Sequence, residues 1–316
     1  MLAIVAPGQG AQVPGFLSPW LEEREFADHV RWMSAVCGID LEHYGTEADA
    51  VAIRDTAIAQ PLIVACGLLA AHALFPTPDR RPPGVDVVAG HSLGEFTVAA
   101  GVGMISAEQA MVLVRERGRA MAETAAGSES GMVAVLGGDA GEVRATIERH
   151  GLVIVNHNGP GQVVAAGLRR DIDRLAAEPP EKTRIRRLEI AGAFHTEEVE
   201  HVAELLLGHA RAIAPLDPYP LVLSNRDGHA VRDGREALDR ILRQVDSPVR
   251  WDLCMETMTR LGVTGLLELP PARPLTRIAR RAMPGVELFA LNTPGQLEDA
   301  RAFIGEHSSF PAHTRP

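Results

Sequence analysis

Cysteine is scarce in this chain, and its three copies lie far apart in the sequence. Cys37, Cys66 and Cys254 show neither the close spacing of a metal site nor the density of a disulfide-stapled fold. We therefore expect three small core residues and no metal centre. A chain with such cysteine usage is typical of a reducing compartment, so the expected location is the cytoplasm.

A surplus of basic residues and long hydrophobic runs are also missing. The formal net charge is −10, which argues against nucleic acid as a partner. The longest apolar stretches, such as residues 61–75, are too short and too interrupted to cross a membrane. The N-terminal residues 1–10 lack a basic region before their apolar run, so they predict a buried first strand and not a signal peptide.

The alternation of strand-like and helix-like segments predicts an α/β fold. Residues 2–6 and 84–89 read as buried parallel strands because both of their faces are apolar. Helices are expected at about residues 47–75, with a break at Pro61, and at about residues 106–126. Further helices and two strands alternate towards the end of the chain.

Residues 131–191 follow a different order, βαββαβ, which is the order of a ferredoxin-like module. We predict a large α/β-hydrolase-like domain with a parallel sheet, made of residues 1–129 and 193–316. The ferredoxin-like subdomain, residues 130–192, would be inserted into it. Residues 76–84, rich in proline, are expected to form a surface loop.

A serine between glycines directly follows the second predicted strand. The segment Gly90–Gly94, GHSLG, fits the G-x-S-x-G pattern of a nucleophile elbow, where glycines let neighbouring backbone approach closely. Ser92 would then precede a helix, and the N–H of Leu93 would point to a developing oxyanion. An ordinary tight turn is the alternative.

A nucleophilic serine requires a base, and His195 is the candidate because it follows a strand and precedes a helix. A polar residue at a helix start is the alternative. His91 should point away from Ser92 on an elbow and is expected to pack. Gln9 lies in the glycine turn after the first strand and can offer a second oxyanion N–H at the same sheet edge.

Arginines cluster on the second long helix, at positions 115, 117 and 119. Residues two apart on a helix point in different directions, so these three cannot all face one side. One of them can face the cleft. An inward arginine would require a carboxylate or a phosphate as its partner.

Taken together, several motifs in one order closely resemble the malonyl-CoA:acyl carrier protein transacylases. The motifs are GQGAQ, GHSLGEF, RERGRAM, GAFHT, SNRDG and SPVRWDLCMETM. The resemblance covers essentially the whole chain and looks strongest to actinobacterial members. This family includes discrete enzymes of fatty-acid synthesis and acyltransferase domains of polyketide synthases.

The resemblance implies a two-step transfer. Ser92 would take the malonyl group from malonyl-CoA as an acyl ester. His195 would activate Ser92 first, and later the phosphopantetheine thiol of an acyl carrier protein. The main-chain carbonyl of Gln244 would orient His195, and Arg117 would bind the free carboxylate of malonyl. No cofactor is implied, and a monomer is expected.

The resemblance also implies the surroundings of the acyl group. The backbone N–H groups of Gln9 and Leu93 would form the oxyanion hole. Three further residues match positions that line the site: Gln60, Asn158 and Phe194. The bulky side chains of Leu93 and Phe194 resemble the versions that prefer malonyl over α-methyl-branched groups.

Some segments depart from the family pattern. The loop ELPPARPL, residues 268–275, has proline and alanine where relatives have glycines, which implies a stiffer loop. Val199 stands where relatives often have methionine. Glu197 and Glu198 add two negative charges near the proposed base, and could raise the pKa of His195 or repel an anionic carrier.

Three hypotheses for the function follow from the sequence. The first is malonyl transfer to a carrier protein, with a specialised trans-acting acyltransferase for another acyl unit as its variant. The second is a serine hydrolase that would have little use for Arg117, and the third is a non-catalytic carrier-docking subunit. An acidic carrier would need a local basic patch, although each candidate can equally be a solvated face. The candidates are residues 169–170, 184–187 and 277–281.

Overall fold

A computed structural model describes residues 1–76 and 82–309 of the protein. Residues 77–81, in the predicted surface loop, lie outside the described residues. The strands of the main sheet are β1 (Leu2–Ala6), β2 (Val87–Gly90), β7 (Leu221–Leu223), β8 (Ala230–Val231), β9 (Gly265–Glu268) and β10 (Glu287–Ala290). Their order is β10-β9-β1-β2-β7-β8, and every neighbouring pair is parallel except β7 and β8. The predicted α/β class with a parallel sheet is confirmed.

Helices surround this sheet. Those before the second sheet are α1 (Ser18–Leu21), α2 (Arg24–Cys37), α3 (Leu41–Thr46), α4 (Thr56–Leu74), α5 (Gly94–Gly101) and α6 (Ala107–Ala126). Those after it are α9 (Glu200–Ala210), α10 (Gly234–Arg243), α11 (Trp251–Arg260), α12 (Pro274–Ala282) and α13 (Leu297–His307). Strands β1 and β2 are buried along their whole length, as the apolar pattern predicted. The three cysteines are buried as free thiols.

A separate antiparallel sheet is built from the middle of the chain. Its elements are β3 (Ser130–Gly137), α7 (Ala140–Arg149), β4 (Val153–Gly159), β5 (Gln162–Leu168), α8 (Arg169–Ala177) and β6 (Thr183–Ala191). The strand order is β4-β5-β3-β6, so the first strand lies between the third and the fourth. This order matches the predicted ferredoxin-like βαββαβ module. The division into two domains with the boundaries given above stays a prediction.

Helix α4 differs from the prediction in two ways. It begins at Thr56 and runs through Pro61 without a break, so the predicted interruption is wrong. The proline removes one backbone hydrogen bond, but nearly the whole helix is buried, and that packing offsets the loss. By length and composition this 19-residue helix could also span a membrane, contrary to the length argument from the sequence. It is 78% buried inside the protein, as a core helix is.

The register of the main sheet determines which loops meet. Ala6 of β1 pairs with Gly90 of β2, and Ala89 pairs with Leu223 of β7. The segments that follow these three strands therefore emerge side by side at the carboxyl edge of the sheet, where α/β folds bind ligands. The second sheet reaches the same region, because the N–H of His157 in β4 donates to the carbonyl of Val249 at 2.9 Å.

Candidate active site

Ser92 lies on a sharp turn between β2 and α5. Its φ of 53° is in the left-handed region, which side-chain-bearing residues rarely adopt. A Cβ on Gly90 would clash with the backbone of Gly94, and one on Gly94 would clash with the carbonyl of Ala6. Both flanking glycines are therefore required by close backbone contact, as in a nucleophile elbow.

The side chain of Ser92 contacts the imidazole of His195. The distance from Ser92 Oγ to His195 Nε2 is 3.0 Å, although the two residues are 103 positions apart. His195 follows β6 and also has a left-handed φ, 64°. Its backbone N–H donates to the carbonyl of Val245 at 3.1 Å, which holds the turn. The structure thus brings together a serine and a histidine with the geometry of a nucleophile and its base.

Gln244 determines the tautomer of His195. Its main-chain carbonyl lies 3.1 Å from His195 Nδ1, and a carbonyl can only accept, so Nδ1 carries the hydrogen. Nε2 is then free to accept the hydroxyl hydrogen of Ser92. The side-chain Nε2 of Gln244 also lies 3.2 Å from Nδ1, but two donors cannot bond, and this amide donates to the carbonyl of Ser247 at 3.4 Å.

His195 is neutral at ordinary pH. Burial, followed by the positive charge of Arg117, lowers its pKa from 6.5 to about 3. The expectation that Glu197 and Glu198 raise this pKa is wrong, because desolvation and Arg117 dominate. Glu198 instead accepts a hydrogen bond from Ser130 Oγ at 2.9 Å.

Arg117 of α6 reaches the same serine. Its Nη2 donates to Ser92 Oγ at 3.1 Å, and its Nη1 donates to Gln60 Oε1 at 2.7 Å. The amide of Gln60 donates in turn to Met121 Sδ at 3.3 Å. Gly118 makes this approach possible, since a Cβ there would come within 2.8 Å of the Thr56 carbonyl in α4. Of the three arginines on this helix, Arg117 is thus the one that faces inward.

The guanidinium of Arg117 is buried without a full counter-charge. Only 2% of the residue is exposed, and no carboxylate of the described residues lies within 4.0 Å of it. Glu95 is the acidic group that acts on it, but burial raises the pKa of Glu95 to about 8, so this carboxyl is mostly neutral. Burial also lowers the pKa of Arg117, to about 10, which leaves it charged at neutral pH. The site therefore carries a net positive charge.

The glycine turn after β1 lies against the elbow. A Cβ on Gly8 would approach the carbonyl of His91 to 2.8 Å, and the N–H of His91 donates to the Ala6 carbonyl at 2.9 Å. The backbone N–H groups of Gln9 and Leu93 have no hydrogen-bond partner within residues 1–76 and 82–309. They are available for an oxyanion, and their role in one stays a prediction.

The observed contacts of Asn158 and Phe194 are with residues other than Ser92 and His195. Asn158 Oδ1 lies 2.8 Å from His91 Nε2, which directs the amide to the histidine that precedes the nucleophile. The ring of His91 also contacts Trp251, at 5.6 Å between centroids, in agreement with a packing role. Phe194 is buried, with its ring against Gly192. The pocket-lining roles of Asn158 and Phe194 stay predictions.

Asn225 is the functional candidate that sequence reasoning missed. It follows β7, and its Oδ1 accepts the Ser92 N–H at 2.7 Å while its Nδ2 donates to the Gly90 carbonyl at 2.7 Å. A signal existed, because Asn225 follows a short apolar run and the carboxyl ends of parallel strands share one edge. The position of β7 beside β2, however, is a long-range property.

The unusual loop after β9 is held by a buried glutamate. Glu268 accepts the N–H groups of Leu275 and Thr276, at 2.9 Å and 2.8 Å, in the first turn of α12. Burial raises the pKa of Glu268 above its ordinary value. This cap fixes the loop that carries Pro270 and Pro271, consistent with a stiff segment.

One group among the described residues has ligand atoms close enough for a metal. These atoms belong to Glu287, Glu306 and His307 and lie within 4.8 Å of one another. They come from β10 and α13, whereas Ser92 and His195 follow β2 and β6. The chemistry available at the serine is therefore that of a nucleophile, a neutral base, two free N–H donors and a buried cation.

Known proteins are similar to this chain in sequence and in fold. Residues 4–286 match the acyl transferase domain. The malonyl CoA-acyl carrier protein transacylase of Mycobacterium tuberculosis is 44% identical over 302 residues, which cover 95% of this chain and 99% of that protein. The protein of the same name from Escherichia coli is 29% identical over 309 residues, which cover 94% of this chain and 98% of that protein.

Solved structures agree. The crystal structure of MCAT from Mycobacterium tuberculosis has a TM-score of 0.90 at 43% identity and covers 95% of this chain and 99% of that one. An acyl carrier protein S-malonyltransferase from Vibrio cholerae has a TM-score of 0.84 at 29% identity, and covers 95% of this chain and 99% of that one. The matched residues 4–286 span most of the chain and contain Ser92, Arg117 and His195. The chain therefore belongs to the acyl transferase domain family.

Proposed function

We propose that the protein transfers a malonyl group from malonyl-CoA to the phosphopantetheine thiol of an acyl carrier protein, through an acyl ester on Ser92. The observation that carries this proposal is Arg117, a buried cation that contacts Ser92 Oγ and faces no carboxylate within ion-pair distance in the described chain. A thioester with a free carboxylate supplies the missing anion. The relatives named as malonyl transacylases support the same substrate pair.

In the first half-reaction, His195 Nε2 takes the proton of Ser92 Oγ as this oxygen attacks the thioester carbonyl. The negative charge on the carbonyl oxygen is stabilised by the N–H groups of Gln9 and Leu93. The C–S bond then breaks, and the CoA thiolate leaves with the proton from Nε2. Malonyl remains as an ester on Ser92.

In the second half-reaction, the same groups act in reverse. The thiol of the carrier gives its proton to His195 Nε2, and its sulfur attacks the ester carbonyl. The C–O bond breaks, and Ser92 Oγ recovers the proton. The carbonyl of Gln244 keeps Nδ1 protonated throughout and stabilises the imidazolium in each step.

Arg117 accounts for the proposed selectivity. Malonyl carries a carboxylate that acetyl lacks, and a planar guanidinium can bind it through two parallel hydrogen bonds. A substrate without this group leaves the charge unpaired in a dry pocket, which costs roughly 3–5 kcal/mol. Gln60 holds the guanidinium in the required orientation through Nη1.

Carboxylate binding also acts on the base. The charge of Arg117 is the second cause of the low pKa of His195, after burial. Pairing with the malonyl carboxylate cancels much of this charge. The imidazole of His195 therefore becomes a stronger base once the correct substrate is bound.

We propose that an acidic carrier docks beside β6, the strand that leads directly to His195. Arg184 and Arg186 are exposed on this strand, and neither has an ion-pair partner in the part of the chain that the structure describes. Arg187 next to them pairs with Asp173. In the other predicted basic patches, Arg170 pairs with Asp171 and Arg281 donates to Gln162, whereas Arg277 and Arg280 are exposed. We favour β6 because this strand leads directly to His195.

The proposal includes a cytoplasmic monomer that supplies extender units for fatty-acid or polyketide synthesis. Buried free thiols at all three cysteines fit a reducing compartment. No cofactor is required by the steps above, because Ser92 carries the acyl group, His195 carries the proton and the backbone N–H groups stabilise the negative charge.

Mass spectrometry of the intact protein tests this function. The protein is mixed with a panel of acyl-CoAs, with and without an acyl carrier protein, and the acyl adduct is measured over time. We expect a malonyl adduct that is absent in Ser92→Ala, persists in water and disappears when the carrier is added. Rapid loss of the adduct to water would instead indicate a hydrolase, and no adduct with any acyl-CoA would contradict the proposal.

A further inference from the structure

Asn225 connects the two sides of the nucleophile elbow. Its Nδ2 donates to the carbonyl of Gly90, where β2 ends, and its Oδ1 accepts the N–H of Ser92, where the chain turns. Both distances are 2.7 Å, and Asn225 is fully buried. One side chain thus spans the strand side and the helix side of the turn.

This connection bears on the conformation of Ser92. A side-chain-bearing residue with a φ of 53° is held in place by its surroundings and not by its own preference. Without Asn225, the buried N–H of Ser92 would also lack a partner, which is costly. Because Asn225 Oδ1 accepts the Ser92 N–H, Leu93 is the residue of the described elbow whose backbone N–H has no hydrogen-bond partner.

Glu95 fixes Asn225 in turn. Its Oε1 accepts the backbone N–H of Asn225 at 3.0 Å, and the carbonyl of Asn225 accepts the N–H of Arg250 at 2.7 Å. The second oxygen, Oε2, is buried without a hydrogen-bond partner in the described chain. Burial raises the pKa of Glu95 to about 8, so the anchor exerts little negative charge on the cationic site.

We infer that Asn225 is a positioning residue for the nucleophile: it keeps Ser92 Oγ in line with His195, and Glu95 keeps Asn225 in place. This inference rests on the proposed acyl transfer through Ser92. It predicts a specific defect, since the proposed carboxylate ligand Arg117 and the Gln60 that orients it lie on α6 and α4 and form no hydrogen bond to Asn225 in the described chain. Loss of Asn225 should lower the rate of acylation of Ser92 and leave the Kd of malonyl-CoA unchanged.

The test compares Asn225→Ala with the wild type and with Asn156→Ala. Asn156 is a buried asparagine of β4 whose Oδ1 has no hydrogen-bond partner among the described residues, so it is a matched control outside the elbow. Single-turnover kinetics give the rate constant of acylation and the Kd of malonyl-CoA separately. A misplacement of a reacting atom by about 1 Å costs about 100-fold in rate. We expect such a fall for Asn225→Ala, with Kd within about threefold of the wild type and Asn156→Ala at the wild-type rate.

Two further variants keep the test decisive if Asn225→Ala does not fold. Asn225→Asp retains an acceptor for the Ser92 N–H but loses the donor to Gly90, and Glu95→Gln retains an acceptor for the Asn225 N–H. We expect acylation to decrease more in Asn225→Asp than in Glu95→Gln, again without a matching change in Kd. Acylation at the wild-type rate in folded Asn225→Ala or Asn225→Asp would overturn the inference, as would equal changes in rate and Kd.

A substrate-independent probe separates this inference from the proposed function. Phenylmethanesulfonyl fluoride reacts with a serine activated by histidine, whatever the natural acyl group is. Slower inactivation of Asn225→Ala than of the wild type supports the positioning role, even if malonyl-CoA leaves no adduct on the wild type. Equal inactivation rates in a folded variant refute it.

Discussion

Arg117→Gln removes a positive charge beside His195 and should raise the pKa of that imidazole. Both side chains contact Ser92 Oγ, so their nitrogens are at most about 6 Å apart, a separation at which two charges still interact strongly. With an effective dielectric constant of ~20, the interaction is about 3 kcal/mol, or about 2 pKa units. We expect the pKa of His195 to rise from about 3 towards ~5.

The pH dependence of Ser92 inactivation by phenylmethanesulfonyl fluoride measures this change. Only neutral His195 can accept the proton, so the rate follows the fraction of unprotonated imidazole. Between about pH 8 and pH 4 we expect a nearly constant rate for the wild type and a roughly tenfold decrease for Arg117→Gln. This neutral reagent avoids the loss of carboxylate binding that malonyl-CoA would report.

Arg119→Gln is the matched control, because Arg119 lies on the same helix but is exposed and pairs with Glu123. Its pH profile should coincide with that of the wild type. If Arg117→Gln also showed the wild-type profile, the electrostatic link between Arg117 and His195 would be wrong. A midpoint at lower pH than in the wild type would contradict even the sign.

Three other predictions concern stability and docking. The folded-state pKa of His195, about 3, lies below the ordinary 6.5, so the unfolded chain takes up the proton first and stability is lost as the pH falls from 6.5 towards 3. In urea unfolding between about pH 7 and pH 5, the free energy of unfolding of His195→Gln should therefore decrease by about 2 kcal/mol less than that of the wild type. An equal decrease would show that His195 is not the source of this pH dependence. Gly118→Ala places a methyl group against the Thr56 carbonyl and should lower the unfolding free energy by about 1–3 kcal/mol. The control Gly127→Ala, whose added Cβ meets no atom within 4 Å, should not destabilise the protein. Equal effects of the two substitutions would contradict the packing argument. Arg186→Glu should raise the KM for the carrier and leave acyl loading from malonyl-CoA unchanged, and a KM like that of the wild type would remove β6 from the docking surface.

The elbow, and the fold around it, could be predicted because the signal is local. A buried strand, a glycine-flanked serine and a helix follow one another within about ten residues, and each constrains the next. The inward orientation of Arg117 was harder to predict, since three arginines lie on its helix and the sequence pattern did not indicate which of them faces inward. The βαββαβ order of the middle segment was equally readable, as its strands and helices alternate with clear breaks.

Long-range contacts were not readable in the same way. Asn225 reaches Ser92 because β7 lies beside β2, and the order of strands in a sheet cannot be predicted from a short stretch of sequence. The break predicted at Pro61 was wrong because burial of the surrounding helix outweighs a local preference. The effect expected of Glu197 and Glu198 was wrong for a similar reason: proximity in sequence is a poor guide to which charge dominates a buried group.

The location of His195 directly after β6 has a consequence for exchanging parts between relatives. Ser92 precedes the entire second sheet in the chain, and the base is the first polar side chain after it. If residues 130–191 were replaced by the corresponding segment of a relative, that segment would determine the distance between Ser92 and His195. Chimeras should retain activity only if the last strand of the donor module exits with the same length and direction as β6, whatever surface it brings for a new carrier.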